Sequence, residues 1–265
     1  YTSTIATYNR EIIVANGVTL TLPHNQNLLY RSIKIEKGGK IRCITGKFSL
    51  AVQRIEIFGE MELKSAAISA INMTVGTNAK LHADYHGYTA ASSTEPGYGC
   101  GQTSSGFNRA RWGPSHGGKG GTGQGSCASS QKTHGDKGAP ITMGGGASGG
   151  GKGGGAIFIN VTGLLTLQTN SRISANGASH GSWAGGAGGS IWIRATTVSS
   201  ASSAKIQAYG GNGGNAQHYD RYYGNKYYSS AGGGGGRILV ELGASIGPFS
   251  PLISLNGGSK GRAYT

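Results

Sequence analysis

A repeated pair of strand-like segments in the second half of the chain constrains the fold more than any other feature. Each copy has a Gly-Gly-x-Ile-x-Ile-like segment and then, after a short gap, an Ile-Ser-Ala-x-Gly-like segment. The apolar positions that recur are Ile157, Ile191 and Ile238 in the first segment and Ile173, Ile206 and Ile253 in the second. From one copy to the next, the two segments are displaced along the sequence by nearly the same number of residues. Such repetition predicts a solenoid, in which each unit buries its apolar face by stacking on its neighbours.

Residues 1–83 contain successive short segments with alternating apolar and polar residues, which predict strands. These segments span residues 12–14, 18–22, 33–35, 55–58 and 61–63. Turn residues separate them at Asn16-Gly17, Lys37-Gly38-Gly39, Thr45-Gly46 and Phe58-Gly59. No cap followed by a helical stripe is visible. We therefore expect one all-β solenoid domain over residues 1–265, with regular coils in residues 1–83.

Three glycine-rich excursions interrupt the strands, at residues 84–155, 177–189 and 210–236. Each leaves after an Ile-Ser-Ala-like strand and returns before an Ile-x-Ile-like strand, so all three are expected along one edge. Two interpretations are open: flexible loops, or extended polyproline-II strands whose backbones approach closely because side chains are absent. The return of Gly-Gly-Gly just before each strand favours ordered packing.

The repeat pattern over residues 81–258 resembles the glycine-rich parallel β-helix repeats of secreted and cell-surface proteins. The N-terminal third is similar to the more ordinary coils of the pectate-lyase-like β-helix superfamily. The resemblance implies a right-handed parallel β-helix. It implies no single function, because that superfamily includes lyases, hydrolases, adhesins and phage tailspikes.

The charge balance favours an anionic partner. Lys and Arg number 24 against 10 Asp and Glu, which gives a formal net charge of +14. Nucleic acid is disfavoured, because the charge is spread along the chain and no recognised module or basic helix is visible. No apolar run approaches the roughly 20 residues that span a bilayer. Two sequons, at Asn72 and Asn160, are candidate glycosylation sites and favour a secreted, extracellular protein.

The three cysteines also fit secretion. Cys100 and Cys127 flank a loop with little core of its own, where a disulfide would stabilise most. Cys43 alternates with Ile41 on an apolar strand and is expected to be a buried thiol. The alternative is an intermolecular bridge through the odd cysteine.

The acidic residues give little support for hydrolysis of sugars. Glu60 and Glu62 share a strand face and are the candidate carboxylate pair. The neighbouring Arg54, Glu56 and Lys64 favour a solvated, salt-paired face instead. A metal-independent lyase would need only a base and an Arg that neutralises a uronate, so a lyase stays open as an alternative.

Histidines are concentrated in or beside the excursions. His82, Asp84 and His86 alternate, so on an extended strand His82 and His86 are weak candidate ligands for zinc or copper. The repeat alignment places Asp84 where Asn176 stands, at a turn, which would break the alternation. No cofactor is otherwise expected.

Aromatic and basic residues mark the excursions as a candidate binding flank. Aromatic faces stack on sugar rings, and guanidinium or ammonium groups pair with sulfate or carboxylate. The alternative is that the aromatic residues only anchor their own loops. The candidate ligand-binding residues are Tyr219, Arg221, Tyr222, Tyr223, Lys226, Tyr227, Tyr228, Trp112 and Trp183.

These observations favour a non-catalytic extracellular protein, structural or adhesive, that binds acidic or sulfated polysaccharide or another anionic surface. Many contacts along a rigid rod would replace one deep pocket. A polysaccharide lyase is the first alternative. A filament subunit that self-associates through open strand edges is the second.

Overall fold

The computed structural model describes residues 10–89, 95–97, 99, 112–122, 132–220, 224–245 and 249–261. It is all-β, with no helix in these residues, and twelve of its fourteen strands form one sheet in which every pairing is parallel. The strands of this sheet are β1 (Glu11–Val14), β2 (Thr19–Thr21), β3 (Asn27–Ile35), β4 (Lys40–Ile57), β5 (Glu60–Val75), β6 (Lys80–His82), β7 (Ala156–Leu167), β8 (Arg172–Ser174), β9 (Ser190–Ser200), β10 (Lys205–Gln207), β13 (Arg237–Ser245) and β14 (Leu252–Ser254). The remaining two, β11 (Asn215–Asp220) and β12 (Gly224–Ser229), form an antiparallel hairpin.

The parallel pairings fall into three ladders, which the chain visits in a fixed order. Ladder 1 joins residues 11–14, 32–35, 54–57, 72–75, 165–167 and 198–200. Ladder 2 joins residues 19–21, 40–42, 60–62, 80–82, 172–174, 205–207 and 252–254. Ladder 3 joins residues 27–30, 49–52, 65–70, 156–161, 190–195 and 237–242. The path of pairings from β1 to β14 does not close, and it is compatible with a β-solenoid.

The core lies between the ladders and consists of columns of stacked apolar side chains. In ladder 2, for example, Ile41, Met61, Leu81, Ile173 and Ile206 follow one another in register and are at most 1% exposed. Full burial of one such side chain contributes about 1.5–3 kcal/mol, so stacking of coils stabilises what no single coil can. The register that the repeated isoleucines predicted is therefore confirmed.

The strands that flank the three excursions belong to the same two ladders. Every excursion leaves after a ladder 2 strand and returns at a ladder 3 strand, so all three emerge at the same corner. The described glycine-rich segments hydrogen-bond to one another through their backbones; Gly154 N–H donates to Ala187 O, and Gly188 N–H donates to Gly234 O. These residues lie outside the strands, so the interpretation as ordered packing holds for this part of the chain.

Close approach of the backbones explains the glycine content of these segments. A Cβ atom at Gly186 would lie 1.9 Å from Lys152 O, and one at Gly153 would lie 2.0 Å from Gly144 O. Neither site has room for any other residue. The hairpin of β11 and β12 within the third excursion was not predicted from the glycine-rich pattern.

The cysteine predictions have different outcomes. Cys43 is a free, buried thiol, as predicted, and burial raises its pKa. Cys100 and Cys127 lie outside the described residues, so their disulfide stays a prediction. Across the described segments, no helix has the length and apolar character needed to cross a membrane.

Candidate functional site

The outer surface of ladder 2 carries a column of charged side chains, which we call the cation column. Its members are Lys40, Glu60, Lys80, Arg172 and Lys205, each on a different strand and in register with the next. Neighbouring strands lie about 4.8 Å apart, so the charges form a line along the stack. Four of the five residues are cationic. The line therefore suits an anion that extends over several coils.

The one acidic member of the column, Glu60, is already paired. Its Oε1 atom lies 3.3 Å from Lys40 Nζ and 2.7 Å from His82 Nε2. Burial raises the pKa of Glu60, but the hydrogen bonds and charges of His82 and Lys40 outweigh it and lower the pKa overall. Glu60 therefore stays ionised at neutral pH.

Beside the column, Glu62 is the centre of a second ionic group. Its Oε2 atom lies 2.8 Å from Lys40 Nζ and 3.0 Å from Arg42 Nε, and its Oε1 atom lies 2.8 Å from His86 Nε2. Its side chain is only 11% exposed. Glu60 and Glu62 are thus salt-paired, but their partners come from β4 and from residues 82–86, not from the neighbouring Arg54 and Lys64 that the sequence indicated. Glu62 itself is largely buried.

Protonation of Glu62 is strongly disfavoured. Burial raises its pKa, but the hydrogen bonds from Lys40 and His86 and the charges of Lys40 and Arg42 outweigh burial and lower the pKa to about 2. The same contacts outweigh burial at Lys40 and raise its pKa. A carboxyl group with this pKa is not a proton donor at neutral pH, so the ionic group is suited to holding charge in place.

The histidines that were candidate metal ligands take different partners. His82 contacts Glu60 and His86 contacts Glu62, while Asp84 and Tyr85 form a turn in which Tyr85 has a φ of 66°. The alternation of three side chains on one face is therefore interrupted, as the repeat alignment indicated. Within the described ranges, no three His, Cys, Asp or Glu side chains are grouped so as to hold a metal ion.

Asp84 closes the corner where the first excursion begins. Its Oδ1 atom accepts the backbone N–H of Asn176 at 2.7 Å, and its Oδ2 atom accepts from Ser174 Oγ at 2.9 Å and from Arg172 Nη2 at 3.3 Å. Asn176 does the same for the next coil, because its Oδ1 atom accepts the N–H of Tyr209. In these two coils, one side-chain oxygen thus satisfies a backbone donor at this corner.

Two lysines of the cation column, Lys80 and Lys205, remain available to a ligand. Both are exposed, and neither forms an ion pair with any residue that the structure describes. Arg172 is shared with Asp84 at 3.3 Å and stays one-third exposed. The column therefore presents free positive charge at Lys80 and Lys205, with Arg172 between them.

Two histidines of the first excursion, the buried His116 and the half-buried His134, pack where the glycine-rich segments meet ladder 3, and His116 Nε2 lies 3.4 Å from Ser190 Oγ of β9. His116 Nδ1 donates to Gly188 O at 2.9 Å, and its Nε2 accepts from Thr142 Oγ1 at 3.0 Å. Burial, followed by the charges of His134 and Arg237, lowers the pKa of His116 to about 3. His116 is fully buried, so we assign this pair to the packing of the fold.

The binding residues predicted in the third excursion lie partly in the hairpin. Tyr219 lies in β11, and Lys226, Tyr227 and Tyr228 lie in β12, where His218 is the cross-strand partner of Lys226. Arg221, Tyr222 and Tyr223 are outside the described residues.

Trp112 and Trp183, from the first and second excursions, are half-buried. The binding role of the predicted set stays a prediction.

The two sequon asparagines lie in strands. Asn72, in β5, is exposed and accepts the N–H of Leu164 through Oδ1 at 3.0 Å. Asn160, in β7, is half-buried. Their glycosylation stays a prediction.

Sequence reasoning missed the cation column, although a signal was present. Arg172 and Lys205 each precede the recurring isoleucine of the second segment, and Lys80 precedes Leu81 in the same way. Aligning these positions across coils would have placed three cations in one line. No protein family, curated protein or solved structure matches this chain.

Proposed function

We propose that this protein is a right-handed parallel β-helix that acts outside the cell as a non-catalytic structural or adhesive protein and binds acidic polysaccharide or another anionic surface. The cation column is the observation that carries this proposal. The excursions form a flank beside the helix, with their glycine-rich segments packed as polyproline-II strands.

Support for the helical architecture comes from the three ladders. The chain passes ladder 1, ladder 2 and ladder 3 in the same order in every coil, and the same isoleucine positions stack from coil to coil. A rigid stack of this kind keeps surface charges at a constant spacing. Support for polyproline-II packing comes from the backbone contacts at glycines such as Gly153 and Gly186.

Support for an anionic polymer comes from the spacing and state of the charges. Lys80, Arg172 and Lys205 lie on consecutive strands of ladder 2, so two strand spacings, about 10 Å, separate the outer pair. A linear polymer with regular acidic groups can pair with all three at once. Each exposed contact is weak, and the sum over several contacts supplies the affinity.

Sedimentation with polysaccharides immobilised on beads tests the proposal. Polygalacturonate, a sulfated glycan and neutral dextran are compared at low and high salt, using the full chain. We expect binding to the two anionic polymers that weakens with salt, and no binding to dextran. Salt-independent binding to dextran, or no binding to either anionic polymer, would overturn the proposal.

A double substitution, Lys80→Ala with Lys205→Ala, tests the cation column itself. The matched control is Lys119→Ala with Lys137→Ala, which removes the same charge from exposed lysines of the first excursion. We expect the column variant to lose at least about tenfold in affinity and the control less than about threefold. Equal losses would contradict a localised site.

The same mixtures distinguish the alternatives. Growth of ultraviolet absorbance from unsaturated uronate would replace the binding proposal with a polysaccharide lyase. Fibres in negative-stain micrographs, without polymer binding, would replace it with a filament subunit.

A further inference from the structure

The outer surface of ladder 3 changes abruptly in side-chain size between β5 and β7. In one column of this ladder, β4 and β5 carry Ser49 and Ala67, whereas β7 and β9 carry Phe158 and Trp192. Two small residues beside two aromatic residues leave a cleft of about 510 Å³. Phe158 forms its wall, and small residues form its floor.

A ring contact, a hydrogen bond and a cation–π contact hold the aromatic residues of the cleft in place. The Phe158 and Trp192 rings lie 4.5 Å apart at an angle of 40°. Trp192 Nε1 donates to Glu241 Oε2 at 2.8 Å, and the Arg194 guanidinium lies 5.2 Å from the Trp192 ring centre. Arg194 Nε also lies 2.7 Å from Glu241 Oε2. These contacts fix the wall before any ligand arrives, so binding need not order it.

The rim of the cleft is polar on one side and apolar on the other. Asn25, Gln26 and Asn27 precede and begin β3, and the exposed Lys47 lies beside them. The Asn25 side chain is itself positioned, because its Oδ1 accepts the N–H of Lys47 at 3.1 Å. Opposite, Ile141 of the first excursion extends over the cleft and is 58% exposed.

This combination suits a sugar ring more than a purely apolar ligand. A pyranose has an apolar face that stacks on an aromatic ring and hydroxyl groups at its edge that bond to amides. Lys47 adds one positive charge at the rim, which complements a ring that carries a carboxylate or sulfate. An alkyl chain would offer no hydrogen-bond partner to the rim amides or to the ammonium group.

We propose that this cleft is a subsite for one ring of an acidic polysaccharide, with the ring face on Phe158 and the acidic group toward Lys47. The proposal rests on the proposed function and extends it by naming a ring-recognition site on ladder 3. The cation column supplies affinity for charge, whereas the cleft distinguishes a sugar from other anions.

Binding of short oligogalacturonates, followed by calorimetry on the full chain, tests the subsite. Ala67→Phe fills the cleft without removing any side chain of the wall. Its matched control is Ser69→Phe, which adds the same ring at the next outward position of β5, outside the cleft. We expect Ala67→Phe to weaken binding at least about tenfold and Ser69→Phe less than about twofold.

A second variant, Phe158→Ala, removes the wall and should weaken binding by a similar factor, with circular dichroism checking that the strands are retained. Lys47→Ala should weaken binding of the acidic oligosaccharide and leave that of its methyl ester unchanged. Wild-type affinity in both Ala67→Phe and Phe158→Ala would overturn the proposal.

The two proposals can fail separately. If long polygalacturonate binds and the column variant weakens it, but the cleft variants bind short oligogalacturonates as the wild type does, only the subsite is wrong. If no acidic polymer binds at all, the proposed function is wrong, and the subsite fails with it. Binding of inorganic sulfate that equals binding of the oligosaccharide would also overturn ring recognition.

Discussion

The imidazole rings of His116 and His134 lie 4.6 Å apart, inside the contact between the glycine-rich segments and ladder 3. Arg237 Nε donates to His134 O at 3.1 Å, so a guanidinium lies beside the pair. A proton on the His116 ring would therefore be buried near the positive charge of Arg237. Burial lowers the pKa of His134 as well as that of His116.

Acidification should destabilise the fold through His116. Its pKa is about 3 in the folded chain and about 6.5 when unfolded, so its neutral form contributes stability above pH 6.5 that is lost as the pH falls toward 3. His116→Gln keeps a donor and an acceptor but cannot be protonated. Between pH 7 and pH 5, we expect the wild type to lose about 2 kcal/mol more unfolding free energy than the variant. Equal losses in urea titrations would show that His116 is not buried in this way.

Loss of the Glu62 charge should be costly at neutral pH. Glu62→Gln leaves Lys40 and Arg42 without their shared carboxylate, and we expect a loss of about 2–4 kcal/mol at pH 7. Because the folded pKa is depressed to about 2, the carboxylate contributes stability above pH 4.5 that disappears as the pH falls through 2. The difference between the two proteins should therefore shrink over that range.

The control for Glu62 is Glu56→Gln on β4, whose half-buried side chain makes no ion pair in the described residues. We expect it to change stability by less than about 0.5 kcal/mol. A comparable loss of unfolding free energy in both variants would show that the ion pairs of Glu62 do not contribute to stability beyond what an unpaired glutamate does.

The glycine-rich packing predicts opposite effects at two glycines. A Cβ at Gly186 would lie 1.9 Å from Lys152 O, so Gly186→Ala should cost at least about 2 kcal/mol. At Gly181 no atom lies within 4 Å of the added Cβ, so Gly181→Ala should be neutral or stabilise by up to about 1 kcal/mol. Thermal unfolding of both variants tests this prediction. An unfolding temperature that is unchanged in both would show that these glycine-rich segments are not packed.

Substitutions at Asp84 should separate its charge from its hydrogen bond. Asp84→Asn keeps an oxygen for the Asn176 N–H, as Asn176 itself does for Tyr209, and should cost about 1 kcal/mol. Asp84→Ala leaves that donor unsatisfied in a buried corner and should cost about 3 kcal/mol. The two unfolding free energies, measured by denaturant titration, should differ accordingly; equal values would show that the acceptor is dispensable.

The part of the fold that depends on local repetition could be predicted from sequence. Ile157, Ile191 and Ile238 stack because each follows a glycine run at the same place in its repeat. The glycine turns at Gly17 and Gly38 also lie where predicted, with φ of 75° and 81°. These features need only the pattern within a coil and its immediate neighbours.

The sites could not be predicted in the same way, because they join residues whose register depends on coil lengths. Ala67 and Phe158 are adjacent in space, but the whole first excursion separates them in sequence. Glu62 meets Lys40 and His86, each more than 20 residues away. Outward positions also show no apolar periodicity. Neither the cleft residues nor the ionic group around Glu62 therefore produces a recognisable sequence pattern.

The tight contacts at Gly153, Gly186 and Gly189 have an evolutionary consequence. Glycine codons begin with GG, so every change of the first or second base replaces hydrogen by a side chain or stops translation. Such positions tolerate few point substitutions. We therefore expect this part of the gene to diversify by gaining or losing whole coils, while the outward residues of the three ladders vary one at a time.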